Sequence, residues 1–270
     1  MGSTRADTVA ERSRSFVVIP GLLGRSGPVS AEAGTPRWRA RVKRCVDVTL
    51  AGLALLATLP LLIAIALAVK LDSPGPVLHR VSRVGYRGQP LLMLKFRKMH
   101  HQAAGAPLTA AADPRLTRIG RLLTRARLDE LPQLWDVVCG RMSIVGPRPE
   151  DPVFASLHDE AYAAILSVRP GITGLSQLAF AEEHRILGEQ DPIGKYVDRI
   201  LPQKVGLDTL YTESYGLRRD LAVIGWTVVA VLLRKPVAVH RGTGRLSVRR
   251  RPAPAARRQR DAGTAMYEAA

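Results

Sequence analysis

The longest apolar stretch of the chain covers residues 48–69 and contains no charged side chain. A helix of this length spans roughly 33 Å, enough to cross a bilayer. Pro60 lies in its middle, where proline removes a backbone donor and bends a helix. Because Lys and Arg prefer the cytoplasmic side and crowd both flanks, we expect a re-entrant helix that returns to the face it entered. A kinked spanning helix and a buried core helix are the alternatives.

Shorter patterns follow this stretch. Apolar runs interrupted by Gly85 and Gly88 predict a small β-hairpin within 77–94, and residues 116–138 and 159–168 predict helices. Residues 221–233 are uncharged and mostly apolar, too short to span a bilayer but long enough for a helix on the membrane interface or in a core. The predicted fold class is α+β, mainly helical.

The pattern divides the chain into four parts. Residues 1–36, rich in Ser, Gly, Pro and Arg, predict a disordered tail whose apolar stretch is too short for a signal peptide. A basic collar and the membrane helix occupy 37–72, and a soluble domain follows over 73–233. The collar consists of Arg37, Arg39, Arg41, Lys43 and Arg44. The 234–270 tail has ten Lys or Arg residues before any acid, which predicts disorder and attraction to anionic lipid.

Composition narrows the class of protein. With 270 residues and 46% hydrophobic side chains the chain can bury a core, which excludes a disordered protein or a minimal disulfide scaffold. Its net charge of +17 favours phosphates, anionic lipid or nucleic acid as partners. Cys45 and Cys139 make no disulfide framework, so we expect a reducing compartment and buried, inert thiols.

Two adjacent carboxylates, Asp129 and Glu130, stand out within a basic region. Pro132 is tolerated only in a first turn, so Asp129 is predicted near a helix N-cap and Glu130 just inside, where the helix dipole favours anions. A plain capping role for Asp129 is the alternative. One apolar face of this helix is predicted from spacings of three, four and three, formed by Leu128, Leu131, Trp135 and Val138.

Cations near these carboxylates suggest phosphate chemistry. A carboxylate that attacks a phosphoryl group needs cations to shield like charges, and Mg²⁺ is suited to that role. Arg148 lies between Pro147 and Pro149, a rigid setting for bidentate phosphate binding. Each basic run taken alone is equally well explained as a solvated surface or an exposed turn.

Short motifs occur in a fixed order over about 41–233. They are Lys43-Arg44 with Asp47, Ser73-Pro74-Gly75-Pro76-Val77, Arg83-Val84-Gly85, Lys95-Phe96-Arg97, Asp113-Pro114-Arg115-Leu116-Thr117, residues 128–134, Met142-Ser143 with 145–149, and 169–174. Together these motifs resemble the bacterial sugar transferase family, the monotopic phosphoglycosyl transferases.

The resemblance implies a monotopic protein with an N-terminal re-entrant helix and a small catalytic domain on the cytoplasmic face of the bacterial plasma membrane. It implies Mg²⁺ and a two-step transfer of a sugar phosphate from a nucleoside diphosphate sugar, expected to be a UDP-sugar, to polyprenyl phosphate (undecaprenyl phosphate). Such a transfer initiates an exopolysaccharide, capsule or other glycan. Asp129 would be the nucleophile and a metal ligand, and Glu130 would assist with metal or proton handling. The substrate-binding residues would be Lys95, Arg97, Arg115, Arg148 and Arg169.

The chain departs from the family pattern at several positions. Leu59 replaces a Ser before Pro60, Thr124 replaces an Arg, and Arg141 replaces an Asp. Gln177 is not followed by the Gly-Arg of the best-known branch. The change after Gln177 leaves the sugar open.

A noncatalytic, membrane-docked basic protein that binds anionic lipid or nucleic acid is the competing hypothesis. No zinc or RNA-binding motif occurs, so we expect no nucleic acid partner. A fold that has lost activity and uses its tails for assembly is a third hypothesis, and a homodimer is compatible with the sequence.

Overall fold

The computed structural model describes residues 37–101, 103, 113–183 and 191–249. The predicted tail at 1–36 and positions 250–270 lie outside these residues. The α-helices are α1 (Arg37–Asp72), α2 (Arg118–Ala126), α3 (Gln133–Val138), α4 (Pro152–Ala155), α5 (Asp159–Ile165), α6 (Leu175–Ala179), α7 (Pro192–Lys195), α8 (Leu201–Glu213) and α9 (Leu217–Val231). The strands are β1 (Leu78–Val84), β2 (Pro90–Phe96), β3 (Ser143–Val145), β4 (Gly171–Thr173), β5 (Val237–Val239) and β6 (Leu246–Val248).

Helix α1 is continuous through Pro60. The Thr58 hydroxyl donates to the Ala54 carbonyl at 2.7 Å, a bond that often accompanies bending. A hydroxyl therefore lies close to Pro60 although Leu59 replaces the serine of the family pattern.

Among the described residues, one helix is long and apolar enough to cross a membrane. It covers Trp38–Asp72, and its most apolar window is only 11% buried in the protein. Leu56 is 71% exposed and Leu67 60% exposed. The alternative of a buried core helix is therefore wrong, because most of the apolar surface faces outward.

The predicted hairpin is confirmed. Strands β1 and β2 pair antiparallel, with Val81 opposite Met93. Arg87 and Gly88 turn the chain with φ values of 54° and 74°. Met93 and Leu91 pack with Ala51 of α1, so the hairpin rests against the first half of this helix.

The helix predicted over 116–138 is broken in the structure. Helix α2 ends at Ala126. The next residue, Arg127, has a left-handed φ of 56°, and a 3₁₀ helix, Leu128–Glu130, follows before α3. Asp129 and Glu130 thus lie in the 3₁₀ helix and do not cap α3, which begins after Pro132. The predicted capping position was wrong because the left-handed residue starts a new turn.

The predicted apolar face of this helix is also wrong. Leu128 and Leu131 pack with Phe96 and Leu123, whereas Val138 packs in a different cluster. Trp135 is 53% exposed.

The rest of the domain is built from short helices around two further strands. β3 and β4 pair parallel, and the core around them includes Val145, Leu175 and Val223. Helices α5 and α9 confirm the predicted helices at 159–168 and 221–233, although α9 begins earlier. The fold is mostly helical with some strands, as expected.

Two expectations were wrong: that disorder begins at residue 234, and that the two thiols are buried. Part of the predicted disordered tail, residues 234–249, contains the antiparallel β5–β6 hairpin, since Val237 is buried against the core. Cys45 and Cys139 are free, as predicted, but both are exposed.

Candidate functional site

Asp129 and Glu130 face two lysines at the end of β2. Lys95 Nζ lies 2.7 Å from Glu130 Oε1, and Lys98 Nζ lies 3.7 Å from Asp129 Oδ2. Strand β2 and the 3₁₀ helix Leu128–Glu130 therefore bring together residues more than thirty positions apart. Asp129 is buried, whereas the side chain of Lys98 keeps 25% of its surface exposed.

Burial and charge act on the two carboxylates in opposite ways. Burial raises the pKa of Asp129, and Lys98 only partly offsets this effect. Burial would also raise the pKa of Glu130, but the charges of Lys95 and Arg148 outweigh it and lower this pKa to about 2. Glu130 therefore stays ionised over a wide range of pH, while Asp129 is the more basic of the two.

Lys95 and Lys98 also line a cavity of about 810 Å³. Asp129 and Glu130 pair with these lysines but are not among the residues that line the cavity. An anion in the cavity would meet the lysines first. The basic or titratable nitrogen side chains that line the cavity are His79, Arg80, Arg83, Lys95, Arg97, Lys98, His100, His101, Arg115, Arg127, Arg148 and Lys204.

The far side of the cavity is a buried polar network. The Tyr196 hydroxyl donates to Glu150 Oε2 at 2.6 Å, and Lys204 Nζ donates to that hydroxyl at 3.1 Å. Lys204, 2% exposed, also pairs with Glu183 Oε2 at 2.5 Å. Burial alone would lower the pKa of Arg148, but the carboxylates of Glu130, Glu183 and Glu150 outweigh this effect and raise the pKa above its ordinary value. This network holds Arg148 charged beside the cavity.

Two further predicted substrate-binding residues line the cavity, and each also contacts another part of the protein. Arg115 lines the cavity and pairs with Asp113 at 2.6 Å. Arg97 also lines it, but its guanidinium donates to the carbonyls of Ser73, at 2.7 Å, and of Pro74. Arg97 thus fixes the chain where α1 ends.

Arg169 does not reach the cavity. Its Nε donates to the Gly140 carbonyl at 3.0 Å, and its guanidinium lies 4.9 Å from the Tyr86 ring centre. This position gives no support to the prediction that Arg169 binds substrate.

Backbone contact fixes the position of Lys98. Gly120 of α2 packs so closely that a Cβ there would lie 1.8 Å from the Lys98 carbonyl oxygen. The Thr117 amide also donates to that oxygen at 3.0 Å. Glycine is therefore required at position 120, because any side chain would displace either the helix or the strand end.

A second lysine–carboxylate cluster joins α1 to α9, away from the cavity. Lys43 Nζ lies 2.7 Å from Asp220 Oδ2 and 3.5 Å from Asp47 Oδ2. Both Lys43 and Asp220 are buried, at 5% and 4% exposure. The Tyr211 hydroxyl donates to Asp220 Oδ1 at 2.7 Å.

Thr124 and Arg141, which replace the family's usual Arg and Asp, each bond to a residue four or five positions earlier in the chain. The Thr124 hydroxyl donates to the Gly120 carbonyl at 2.8 Å and so stays within α2. Arg141 pairs with the buried Asp136 at 2.7 Å, and Asp136 also accepts the Leu94 amide of β2.

Sequence reasoning missed three charged residues that matter here. Lys98 was seen only as part of a basic run, although its spacing of three from Lys95 at a strand end was an available signal. Glu183 belongs to an acidic pair after Gln177 that resembles another branch of the family, but nothing in the sequence indicates that it pairs with Lys204, 21 residues away. Lys204 belongs to no motif and gave no signal.

The sequence profile of the family described as bacterial sugar transferase matches residues 38–234. The match covers nearly all of α1, the 3₁₀ helix that contains Asp129 and the residues that line the cavity. The chain belongs to the bacterial sugar transferase family. The resemblance inferred from the motifs is therefore confirmed.

Relatives in this family carry specific names. The UDP-glucose:undecaprenyl-phosphate glucose-1-phosphate transferase of Caulobacter vibrioides is 39% identical, over 70% of this chain and 69% of its own length. The protein of the same name from Escherichia coli K12 is 38% identical over 72% of this chain but only 41% of its own length. The exopolysaccharide production protein PSS of Rhizobium leguminosarum bv. phaseoli is 37% identical over 72% of this chain and 96% of its own length. The chain thus spans less than half the length of some relatives and nearly all of another.

Proposed function

We propose that this chain transfers a sugar 1-phosphate from a nucleoside diphosphate sugar, expected to be a UDP-sugar, to undecaprenyl phosphate. The pairing of Asp129 and Glu130 with Lys98 and Lys95 beside a cationic cavity carries the proposal. The names of the relatives support the same reaction and the start of an exopolysaccharide or similar glycan.

In the proposed first step, a carboxylate oxygen of Asp129 attacks the phosphorus that bears the sugar. A bond forms between that oxygen and phosphorus while the bond to the leaving uridine monophosphate breaks. In the second step, an oxygen of undecaprenyl phosphate attacks the same phosphorus and displaces the carboxylate. The products are undecaprenyl diphosphate sugar and free Asp129.

The surrounding side chains have distinct roles in this proposal. Lys98 reduces the repulsion between Asp129 and the incoming phosphate, because its ammonium lies beside both the carboxylate and the cavity. Lys95 holds Glu130 ionised and in place. Arg148 and Arg115 present guanidinium groups for the diphosphate.

The residues present fit Mg²⁺ as a cofactor. Asp129 and Glu130 supply carboxylate oxygens, and Mg²⁺ commonly takes one or two carboxylates and completes its shell with phosphates and water. The described part of the chain has no group of three metal-ligating side chains, which agrees with an ion that is bound jointly with substrate. Asp129 would hold the ion, with help from Glu130, and a bound ion would neutralise charge on the reacting phosphate.

For the membrane, we propose that α1 is re-entrant, so that both its flanks and the catalytic domain lie on the cytoplasmic face. Outward leucines along α1, Pro60 in its middle and cations at both ends support this topology. Helix α9 would lie on the interface, since Leu221 and Val228 are exposed on it.

The topology is tested with single cysteines in a Cys45→Ser/Cys139→Ser chain. Arg39→Cys and Pro76→Cys should both react with an impermeant maleimide from the cytoplasmic side of oriented vesicles. Reaction from opposite sides would show that α1 spans the bilayer.

The reaction is tested by trapping the intermediate. We expect that rapid acid quenching with a UDP-sugar, and without undecaprenyl phosphate, leaves a sugar phosphate on the peptide that contains Asp129. Mass spectrometry would locate the adduct, with Asp129→Asn as the control. An accepted donor that releases uridine monophosphate without any adduct on this peptide would disprove the covalent mechanism.

A further inference from the structure

The β5–β6 hairpin lies beyond the residues that match the family profile, which end at 234. Positions 234–249 hold five Lys or Arg residues and no acid. All five are exposed, among them Arg241 and Arg245 near the tip. A surface of this charge attracts phosphate groups.

The opposite face of the hairpin is fixed to the domain. Val237 is 5% exposed, and Val239 and Leu246 pack against the cluster around Leu175. At the tip, Arg219 Nη2 donates to the Thr243 carbonyl at 3.0 Å. The cations are therefore presented on a folded scaffold.

The tip lies at the same end of the domain as the start of α1. Arg219 contacts Thr243 of the tip, and the next residue, Asp220, pairs with Lys43 of α1 at 2.7 Å. The first turn of α9 therefore joins the tip to the basic collar at the start of the membrane helix.

The collar has the features of a membrane interface. Trp38 is 61% exposed, and the Arg39 guanidinium lies 5.4 Å from its ring centre. Aromatic and basic side chains at the end of an apolar helix mark the level of lipid headgroups. Leu221, next to Asp220 in α9, adds an exposed apolar side chain near the cluster that joins α9 to the collar.

We propose that the β5–β6 hairpin and the basic collar form one docking surface for anionic lipid headgroups. The inference rests on the proposed topology, because it requires the collar to lie at headgroup level. Lipid is favoured over nucleic acid since the cations adjoin the apolar helix and the exposed Trp38. Docking would fix the orientation of the domain on the membrane, with the hairpin as a second contact besides α1.

The test places a fluorophore at the tip of the full-length chain. Gly242→Cys, in the Cys45→Ser/Cys139→Ser chain, has room for a side chain, because a Cβ there meets only His240 at ordinary distance. The labelled protein is placed in two kinds of nanodisc: phosphatidylcholine mixed with brominated phosphatidylglycerol, and brominated phosphatidylcholine without anionic lipid. We expect strong quenching in the first kind, reversed by high salt, and weaker quenching in the second.

A matched pair of variants separates docking from overall charge. Two arginines near an anionic surface contribute about 25-fold to a docking constant, so Arg241→Ser/Arg245→Ser should lose much of the quenching. Lys195→Ser/Arg199→Ser removes the same charge elsewhere and should keep it.

Three results would overturn the inference: equal quenching by both lipids, unchanged quenching in Arg241→Ser/Arg245→Ser, or equal loss in the control pair. A tip that responds to an added RNA oligonucleotide but not to phosphatidylglycerol would also overturn it. Release of uridine monophosphate is measured in the same discs. A chain that is active but whose tip ignores anionic lipid refutes the docking surface alone, whereas an inactive chain with a responsive tip refutes only the proposed reaction.

Discussion

Lys43 and Lys98 each face an aspartate, yet their surroundings differ. Lys43 is 5% exposed and contacts Asp220 at 2.7 Å, with Asp47 and a backbone carbonyl also close. Lys98 keeps 25% of its side-chain surface exposed, lies 3.7 Å from Asp129 and opens onto the cavity. The first pair is enclosed by protein on all sides, and the second has one side free for a ligand.

The difference indicates that the enclosed lysine–aspartate pair holds the fold together, whereas the open pair is placed to meet a ligand. A buried and fully hydrogen-bonded pair is costly to break, because each partner left alone is an uncompensated charge. A looser pair beside a cavity can exchange one partner for a phosphate at little cost. Asp208 is a third kind of carboxylate. It is buried like Asp220, with 1% of its surface exposed, but its Oδ1 has no hydrogen-bond partner in the described structure.

The largest expected effect is at the open pair. Asp129→Asn removes the proposed nucleophile, so the rate of uridine monophosphate release should fall by at least roughly a thousandfold. Its thermal stability should not fall, because burial already raises the pKa of Asp129 and disfavours its charge. The exposed Asp198→Asn is the control and should keep wild-type activity. Equal activity in both variants would remove Asp129 from the mechanism.

The enclosed pair should respond in stability. Lys43→Met leaves Asp220 and Asp47 buried without their cation, at a cost of about 3–5 kcal/mol in the free energy of unfolding. Denaturant unfolding in detergent micelles measures it, and the exposed Arg39→Met should change the value by less than about 0.5 kcal/mol. Similar losses in both variants would show that the cluster does not hold α1 to α9.

Asp208 should make stability depend on pH. Its burial raises its pKa to about 7, compared with about 3.9 in an unfolded chain. The folded state therefore binds the extra proton, and this stabilisation is fully present below about pH 4 and lost as the pH rises through about 7.

Asp208→Asn removes this titration. From about pH 5 to 8 the variant should lose about 2 kcal/mol less stability than the wild type. Urea unfolding at both pH values measures the difference. Parallel losses in the two proteins would mean that Asp208 ionises normally.

The smallest expected effect concerns Lys98. Lys98→Met should lower kcat/KM for the UDP-sugar about tenfold, because other cavity cations still attract the diphosphate. The exposed Arg199→Met serves as the control. An unchanged kcat/KM would place the reacting phosphate away from Lys98.

The sequence was informative where the signal is local. Gly85 and Gly88 marked the hairpin, Pro132 marked the start of α3, and the uncharged stretch marked α1. Asp129 was found from its neighbours, but its 3₁₀ setting was missed, since nothing in the sequence shows that Arg127 adopts a left-handed conformation.

Contacts between distant segments could not be predicted from one sequence. Lys43 and Asp220 are separated by 177 positions, and no sequence pattern around either residue indicates that the two are in contact. Arg97 and Arg169 belong to motifs, yet only the folded chain shows that their guanidinium groups donate hydrogen bonds to backbone carbonyl groups. The three-residue strands β5 and β6 are too short for alternation to stand out within a basic segment.

The close packing of Gly120 against Lys98 ties the position of helix α2 to the place where we propose that phosphate binds. There is no space for even one methyl group between the two backbones, because a Cβ at position 120 would lie 1.8 Å from the Lys98 carbonyl oxygen. The opposite side of α2 presents Leu122, which is 59% exposed. Any partner that displaced α2 would therefore move Lys98 with it, so main-chain contact alone couples the outer surface of this helix to the lysine beside Asp129.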